Sequence, residues 1–180
     1  MRIQRASYRS RKRTELLKTL RGQVYFGTFP SEVRPEFVTD ELLEILEERC
    51  ANTSIHIGAQ SGSDAVLSEV HRGHTRHDVE IALEICRAHN VTPVVDFIFG
   101  LPTEMEADQL QSLELVDSIV ATGGGARAHY FTPLPGTPYE HEKPAPVSNE
   151  VRKRLGTLAR DGKVRGRWEP PRLRHKRQTI

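Results

Sequence analysis

The sequence contains only two cysteines, Cys50 and Cys86, separated by 36 positions. Neither belongs to a CxxC pair and neither has a histidine at ligand spacing, so the cysteines predict no zinc site. A disulfide is not expected in a cytosolic protein. Cys86 occupies an apolar position of the segment IALEIC, which favours a buried thiol. We therefore expect two free cysteines that bind no metal.

Long hydrophobic runs are also absent. No apolar stretch approaches the ~20 residues that a membrane-spanning helix requires. The basic segment at residues 1–13 is not followed by the apolar region of a secretory signal. The charged fraction is 28% and the net charge is +2, so the chain as a whole is not a polycation. These features predict a cytoplasmic globular protein with no membrane partner.

The basic residues concentrate at the two ends of the chain, in residues 2–13 and 165–177. A nucleic-acid footprint has this distribution, and so does a pair of solvated tails. Each basic segment contains a single aromatic residue, Tyr8 or Trp168, which is too few for an interleaved pattern, so we favour the tails. Beyond residue 162 the chain is polar and basic, and we expect it to be weakly ordered.

Short β-prone runs alternate with longer helical runs. The strands are predicted at residues 23–28, 54–59, 92–99 and 127–132. Helices are predicted after the caps Thr39 and Thr75, and at residues 65–70, 104–121 and 149–160, the last capped by Ser148. A strand–helix order repeated four times predicts an α/β fold with a parallel sheet. It leaves open a doubly wound sheet or part of a barrel, and both bind ligands at the carboxyl ends of the strands.

Two polar segments follow the second strand. In Gly58–Asp64 (GAQSGSD), Gln60 and Ser61 offer neutral hydrogen bonds to a ligand, or the segment is only a turn capped by Ser63. The next segment, HRGHT at 71–75, places an arginine between two histidines, which is a poor metal site. Arg72 is better suited to clamp a carboxylate through its planar fork, although an exposed capped turn explains the segment equally well.

Two further segments stand at the ends of later strands. Asp96 lies in the apolar run VVDFIFGLP and needs a partner. It can hold ribose hydroxyls while the bare backbone at Gly100 faces an aromatic base, or it can be paired with an arginine for structural reasons. Residues 129–138 (HYFTPLPGTP) contain three prolines, which stiffen the strand exit. This segment is either structural or the wall of a pocket.

Taken together, these segments resemble the later half of the radical S-adenosylmethionine (SAM) domain. GAQSGSD with HRGHT, DFIFGLPTE, FTPLPGTPYE and VYFGTFPSEVRPE match its strand ends in order and spacing, over about residues 23–140. The closest resemblance is to archaeal-type radical SAM proteins with an upstream cobalamin-binding-like domain. Methylthiotransferases and oxygen-independent coproporphyrinogen oxidases are more distant. The resemblance implies the C-terminal part, about four βα units, of a partial (βα)6 barrel with a parallel sheet.

The resemblance also implies which residues face SAM. The polar residues after the second strand, the arginine that follows them, the strand acid with its glycine, and the last strand exit contact SAM in the family. The positions that match are Gln60, Ser61, Arg72, Asp96, Gly100, Thr132 and Pro133. Glu32, in the loop after residues 23–28, would face the substrate. No catalytic residue and no substrate are assigned.

The sequence departs from the family in one respect, because the CxxxCxxC motif is missing. In the family, three thiolates hold a [4Fe–4S] cluster, SAM chelates the fourth iron, and the reaction begins with reductive cleavage of SAM to a 5′-deoxyadenosyl radical. The cofactors implied are therefore SAM and a cluster whose ligands this chain lacks. We expect a fragment, inactive alone, that is completed by an N-terminal radical SAM half encoded upstream.

Three segments are predicted: a basic helical lead-in at 1–22, the core at 23–140, and a C-terminal helix with a basic tail at 141–180. Two alternatives to the radical SAM enzyme stay open. One is a catalytically inert SAM-binding or remnant module, and the other is a basic-tailed RNA-associated partner.

Overall fold

The computed structural model describes residues 22–28 and 30–170. The basic segment at residues 2–13 and the last ten residues lie outside these ranges. Within them the chain forms four strands, five α-helices and a single 3-10 turn at Pro35–Phe37. The strands are β1 (Ser54–Gln60), β2 (Thr92–Phe99), β3 (Gly125–Tyr130) and β4 (Val164–Arg167). The helices are α1 (Asp40–Arg49), α2 (Asp64–Glu69), α3 (Arg76–Ala88), α4 (Glu106–Ala121) and α5 (Asn149–Arg160).

Side-chain caps define the starts of four helices. Thr39, Ser63, Thr75 and Ser148 each accept a hydrogen bond from a backbone N–H in the first turn, and Asp78 completes a capping box at Thr75. Each cap satisfies an amide that the helix itself leaves unpaired. The positions predicted from these caps are confirmed.

The four strands are parallel and are paired in chain order, β1-β2-β3-β4. A doubly wound sheet reverses its strand order at a switch point, whereas a barrel adds each new strand beside the last one. The observed order is therefore that of a barrel segment, and the predicted α/β fold with a partial barrel is confirmed.

One face of the sheet forms the hydrophobic core. Ile57, Phe97 and Ala128 on neighbouring strands are fully buried, and the helices cover them with Leu43, Val79, Ile119 and Leu155 among others. We call the opposite side of the sheet the inner face. It carries His56, Gly58, Asp96, Arg127 and His129, which alternate with the core residues along each strand.

The strand predicted at residues 23–28 is not formed. Gly27 has a left-handed backbone, with φ of +58°, which interrupts an extended segment. The chain still covers the outer edge of β1, because the Gly27 carbonyl accepts from His56 N at 2.7 Å. Val33 then makes a single parallel bridge with Ile57. The edge of β1 is thus hydrogen-bonded by a loop rather than by a strand.

The prediction that the chain is weakly ordered beyond residue 162 is wrong for β4. Val164 is buried in the core, and Trp168 packs against the core from the end of the strand. Pairing with β3 orders this polar segment, which no local propensity predicts. The segment boundaries at residues 22 and 140 stay a prediction.

The close approach of β4 to β3 depends on Gly166. Its φ of +116° is strained for any other residue, and an added Cβ would overlap the Ala128 carbonyl oxygen. Gly166→Ala should therefore open the β3–β4 pair and lower the free energy of unfolding by roughly 2 kcal/mol. Urea unfolding measures the loss, and hydrogen exchange of the Ala126 amide, which donates to Lys163 O, locates it.

Gly156→Ala is the matched control, because an added Cβ there meets nothing within 4 Å. Gly156 lies inside α5, so alanine should stabilise the protein by about 0.5–1 kcal/mol. A Gly166→Ala variant as stable as the parent, with the Ala126 amide still protected, would contradict the close packing.

A buried carboxyl group holds the turn that follows β2. Glu104 Oε2 accepts the Gly100 amide at 2.6 Å, and the side chain is only 5% exposed. Glu104 folds back toward the strand, so α4 begins at Glu106 and not at the predicted residue 104. Burial raises the pKa of Glu104 to about 7, because the charged form loses its hydration.

This pKa predicts a pH dependence of stability. A carboxyl group whose pKa is about 7 when folded and 4.5 when unfolded contributes fully below pH 4.5. The contribution is lost as the pH rises through 7, and the free energy of unfolding falls by about 3 kcal/mol in total. Glu104→Gln keeps an acceptor for the Gly100 amide but cannot ionise. The variant should gain stability relative to the parent between pH 5 and pH 8 in urea unfolding.

Glu41→Gln, an exposed position in the first turn of α1, is the control and should leave the pH dependence unchanged. Equal pH dependence in the parent and in Glu104→Gln would show that Glu104 does not titrate in this way.

Candidate functional site

Asp96 lies at the centre of the inner face and is only 2% exposed. Its Oδ1 is 3.4 Å from Arg127 Nη1 and 3.3 Å from His129 Nε2, while Oδ2 is 3.7 Å from His56 Nδ1. Oδ2 is buried and has no hydrogen-bond partner among the described residues. The arginine pair that one interpretation of Asp96 predicts is therefore present through Oδ1. The ligand contact that the other interpretation predicts would use Oδ2, which lies beside His56 Nδ1.

Gln60 is turned back toward Asp96 by a bulge at the end of β1. The strand register shifts between Gly58 and Gln60, and Gln60 has a left-handed φ of 68°. This conformation is strained for a residue other than glycine, and both bulges and strain concentrate at functional sites. A Cβ at Gly58 would lie 2.7 Å from Gln60 Nε2, so only glycine leaves room for the amide there.

Arg72 reaches the same point from the loop between α2 and α3. Its Nη2 donates to the Gly58 carbonyl at 3.3 Å, and its Nε is buried with no hydrogen-bond partner in the part of the chain that the structure describes. The carbonyl of Arg72 in turn accepts from Arg34. Burial lowers the pKa of Arg72, and the charge of Arg34 adds to the effect. A cation in such surroundings gains from an anion that binds beside it.

His74 fastens this loop to β1. Its Nε2 donates to the Ala59 carbonyl at 3.0 Å, and burial lowers the pKa of His74, which favours the neutral ring. The His74 ring therefore holds the backbone next to Gln60. The described residues contain no group of three or more His, Cys, Asp or Glu side chains that could hold a metal ion.

A cavity of about 440 Å³ opens above these residues, at the carboxyl ends of β1, β2 and β3. Polar side chains form its floor, and the β3 exit forms an aromatic wall in which Phe131 and Tyr139 meet edge to face at 6.2 Å. The lining residues are Glu32, Gln60, Asp96, Ile98, His129, Tyr130, Phe131, Thr132, Leu134, Thr137 and Tyr139.

The residues predicted to contact SAM occupy different places in this arrangement. Gln60, Asp96 and Thr132 line the cavity, and Arg72 stands beside Gln60 at Gly58. Pro133 follows Thr132 and is partly buried. The other two predicted residues, Ser61 and Gly100, do not line the cavity and form hydrogen bonds within the protein. Ser61 is fully buried, 3.3 Å from the Ser112 hydroxyl, and the Gly100 N–H and C=O pair with Glu104 and Ala145.

Several residues of the site were not identified from the sequence. Arg127 and His129 alternate with alanines in β3, and this period-two pattern places both on one face with Asp96. His129, Tyr130 and Phe131 belong to the segment 129–138, which was predicted to be either structural or the wall of a pocket, and they line the cavity. The pattern alone does not show that the rings of Phe131 and Tyr139 meet. Glu104 does not line the cavity and is connected to the site through its hydrogen bond with the Gly100 amide.

The two cysteines lie away from the site. Cys86 is fully buried in α3, and burial raises the pKa of its thiol to about 12. Cys50 ends α1, and burial raises its pKa as well. Both thiols are free, as predicted. Neither supplies the exposed thiolate that an iron–sulfur cluster needs, so the chain offers no ligand set for a cluster in its described part.

The residues do fit SAM. The unpartnered Asp96 Oδ2 can accept from ribose hydroxyls, the buried Arg72 fork can pair with a carboxylate, and the aromatic wall can contact an adenine ring. None of the helices in the described ranges has the length and apolar character to cross a membrane.

Comparisons with known proteins identify the family of this chain. The family model described as the radical SAM superfamily matches residues 6–116. A tRNA-2-methylthio-N(6)-dimethylallyladenosine synthase from Corynebacterium efficiens is 32% identical over 135 residues, which cover 72% of this chain and 25% of that protein. A threonylcarbamoyladenosine tRNA methylthiotransferase from Drosophila pseudoobscura pseudoobscura is 32% identical over 121 residues, covering 66% of this chain and 21% of that protein. The chain thus spans about a quarter of the length of these curated relatives.

Two solved structures share the fold. The coproporphyrinogen III oxidase of Escherichia coli, a radical SAM enzyme, has a TM-score of 0.57 at 18% identity over 72% of this chain and 31% of its own. The radical SAM methyltransferase TsrM of Kitasatospora setae, solved with cobalamin and a [4Fe–4S] cluster, has a TM-score of 0.51 at 20% identity, covering 59% and 21%. At these identities the similarity concerns the fold alone. The family model covers more than half of the sequence, and the chain therefore belongs to the radical SAM superfamily.

Proposed function

We propose that this chain supplies the SAM-binding half of a radical SAM enzyme, and that cysteines outside these 180 residues hold the [4Fe–4S] cluster. One observation carries the proposal. Gln60, Arg72 and Asp96 converge at Gly58, and two of them present buried polar atoms without partners. Unpaired buried groups are costly, so their retention in the cavity lining and next to it, at Gly58, favours a polar ligand there.

Each group has a distinct role in holding SAM. Arg72 pairs with the carboxylate of the methionine moiety, and its buried Nε gains a partner. Asp96 Oδ2 accepts from the ribose, and Gln60 donates to the polar part of the ligand from its strained position. Tyr130, Phe131 and Tyr139 exclude water from the adenine side. When bound with a reduced cluster, SAM supplies a carbon-centred radical, and the protein supplies orientation.

The cluster has to come from elsewhere in the assembly. The CxxxCxxC motif is missing from the sequence, and neither Cys50 nor Cys86 lines the cavity. We propose an N-terminal radical SAM half as the partner, working in the cytoplasm. Family membership favours this enzyme over an inert module or an RNA-associated partner. The relatives named above act on tRNA, but the substrate of this chain is not assigned.

Calorimetric titration with SAM tests the binding role. The full chain should bind SAM with a dissociation constant below about 1 mM. Arg72→Gln removes the charge-assisted hydrogen bonds to the carboxylate and should weaken binding by about 10- to 100-fold. Gln60→Ala should weaken it by up to about tenfold. Circular dichroism verifies that each variant is folded.

Arg154→Gln is the matched control, because Arg154 forms an exposed ion pair with Asp117 on the outer helices. It should bind SAM like the parent. Folded chain that shows no heat of SAM binding, or that binds equally well as Arg72→Gln, would contradict the assignment.

Reconstitution with iron and sulfide tests the origin of the cluster. The chain alone should take up no stoichiometric [4Fe–4S] cluster and should cleave no SAM when dithionite is supplied. Replacing Cys50 and Cys86 together by serine should change neither result, because the buried Cys86 thiol is not available as a thiolate. A stoichiometric cluster on the isolated chain, seen by absorption and Mössbauer spectroscopy, would reject the proposed division of the enzyme.

A further inference from the structure

A second cavity, of about 630 Å³, lies at the opposite end of the inner face, where the strands begin. The proposed SAM role makes no use of it. It is bounded by the first residues of all four strands and by the two loops that lead into β3 and β4. The lining residues are Ser54, His56, Thr92, Val94, Gly123, Gly124, Gly125, Ala126, Arg127, Gly162, Lys163 and Arg165.

The charges that line this cavity are of one sign. It contains Arg127, Lys163, Arg165 and a histidine, and no carboxylate of the described residues lines it. Arg127 is paired with Asp96 at 3.4 Å, whereas Lys163 and Arg165 are exposed. Within residues 30–170, Lys163 and Arg165 form no ion pair with any carboxylate.

The strand register brings two of these cations together. Arg127 and Arg165 are directly paired across β3 and β4, and both line the cavity. Like charges on paired strand positions repel one another. Solvent screens part of this repulsion at the exposed Arg165, and an anion that contacts both arginines relieves the rest.

The floor of the cavity is left open by Gly125. This glycine pairs with Val94 on β2, and its φ is not in the left-handed region, so the backbone does not require glycine. An added Cβ would meet only the Lys163 carbonyl, at 3.8 Å, which is ordinary contact. The missing side chain thus preserves space between the cations. The hydroxyl groups of Ser54 and Thr92 line the same space and can donate to a bound oxyanion.

We propose that this cavity is a binding site for a phosphate-bearing small anion, formed by Arg127, Lys163 and Arg165 around Gly125. The Arg165 fork and the Lys163 point charge, beside Arg127 and two hydroxyl-bearing residues, match the oxygens of a phosphoryl group. The volume accommodates more than one phosphoryl group, as in a diphosphate. The site stands apart from the proposed SAM site and does not depend on that role.

Calorimetric titration of the full chain with inorganic pyrophosphate tests the proposal. We expect saturable binding at about 0.1 M salt, weakening as salt is raised because the interaction is between charges. Arg165→Gln should weaken binding at least about tenfold by removing one fork. Gly125→Val should weaken it at least as much by filling the cavity, while suiting a strand position. Gly156→Ala, in α5 and away from the cavity, should bind like the parent.

Three further titrations, with SAM, citrate and RNA, test which ligand the cavity binds. SAM should still bind to Arg165→Gln and Gly125→Val, which separates this site from the SAM site. Citrate should bind at least about tenfold more weakly than pyrophosphate, and equal binding would overturn the phosphate assignment. A short single-stranded RNA that binds without being displaced by pyrophosphate would replace the small-anion site with a nucleic-acid surface. Absence of pyrophosphate binding to the parent, or binding unchanged in both variants, would also reject the proposal.

Discussion

The inner face of this protein is organised by one buried carboxylate. Asp96 lies on the second of four parallel strands and is surrounded by His56 from β1 and by Arg127 and His129 from β3. Desolvating a carboxylate is costly, and the cost is offset only when cations and donors surround it. This constraint places basic side chains on the neighbouring strands, and Asp96 itself lines the cavity, with an Oδ2 atom that has no hydrogen-bond partner among the described residues. The fold and the candidate site thus depend on the same residue.

The surrounding structure keeps this carboxylate accessible from one end. All the buried apolar residues of β2 lie on the helix side, so Asp96 and Ile98 are directed to the inner face. The bulge at Gln60 and the loop of Arg72 bring two polar groups over Gly58. Glu104 then fixes the turn at Gly100. Strain and burial in this region are sustained by the packing of the helices on the far side.

Much of this architecture follows from sequence patterns that act locally. The bounds of β2 and α5 and the caps at Thr39, Thr75 and Ser148 were predicted, because alternation and capping are properties of neighbouring residues. The convergence of Gln60, Arg72 and Asp96 was expected because parallel strands present their carboxyl ends at one edge. What it contributes to SAM binding stays a proposal.

The remaining features depend on contacts between distant parts of the chain. Strand β4 is short and polar, and it forms because Gly166 allows it to approach β3. Residues 23–28 lose their strand to the left-handed Gly27, although the side chains suit a strand. Arg127 and His129 join Asp96 through strand register, and Glu104 folds back on Gly100 through a turn. Register and turn geometry are set by tertiary packing, so single-sequence patterns do not specify them.

The central claim is that the polar residues at the carboxyl ends of the strands bind SAM. Nuclear magnetic resonance of the isotope-labelled chain tests it most directly, through the Gln60 side-chain amide and the His129 ring as SAM is added. Both groups line the cavity, so both signals should shift together and saturate, while the ring of His89, paired with Asp40 and Glu47 on the outer helices, should not move. Saturating SAM that leaves Gln60 and His129 unshifted, or that shifts His89 as strongly, would contradict the account.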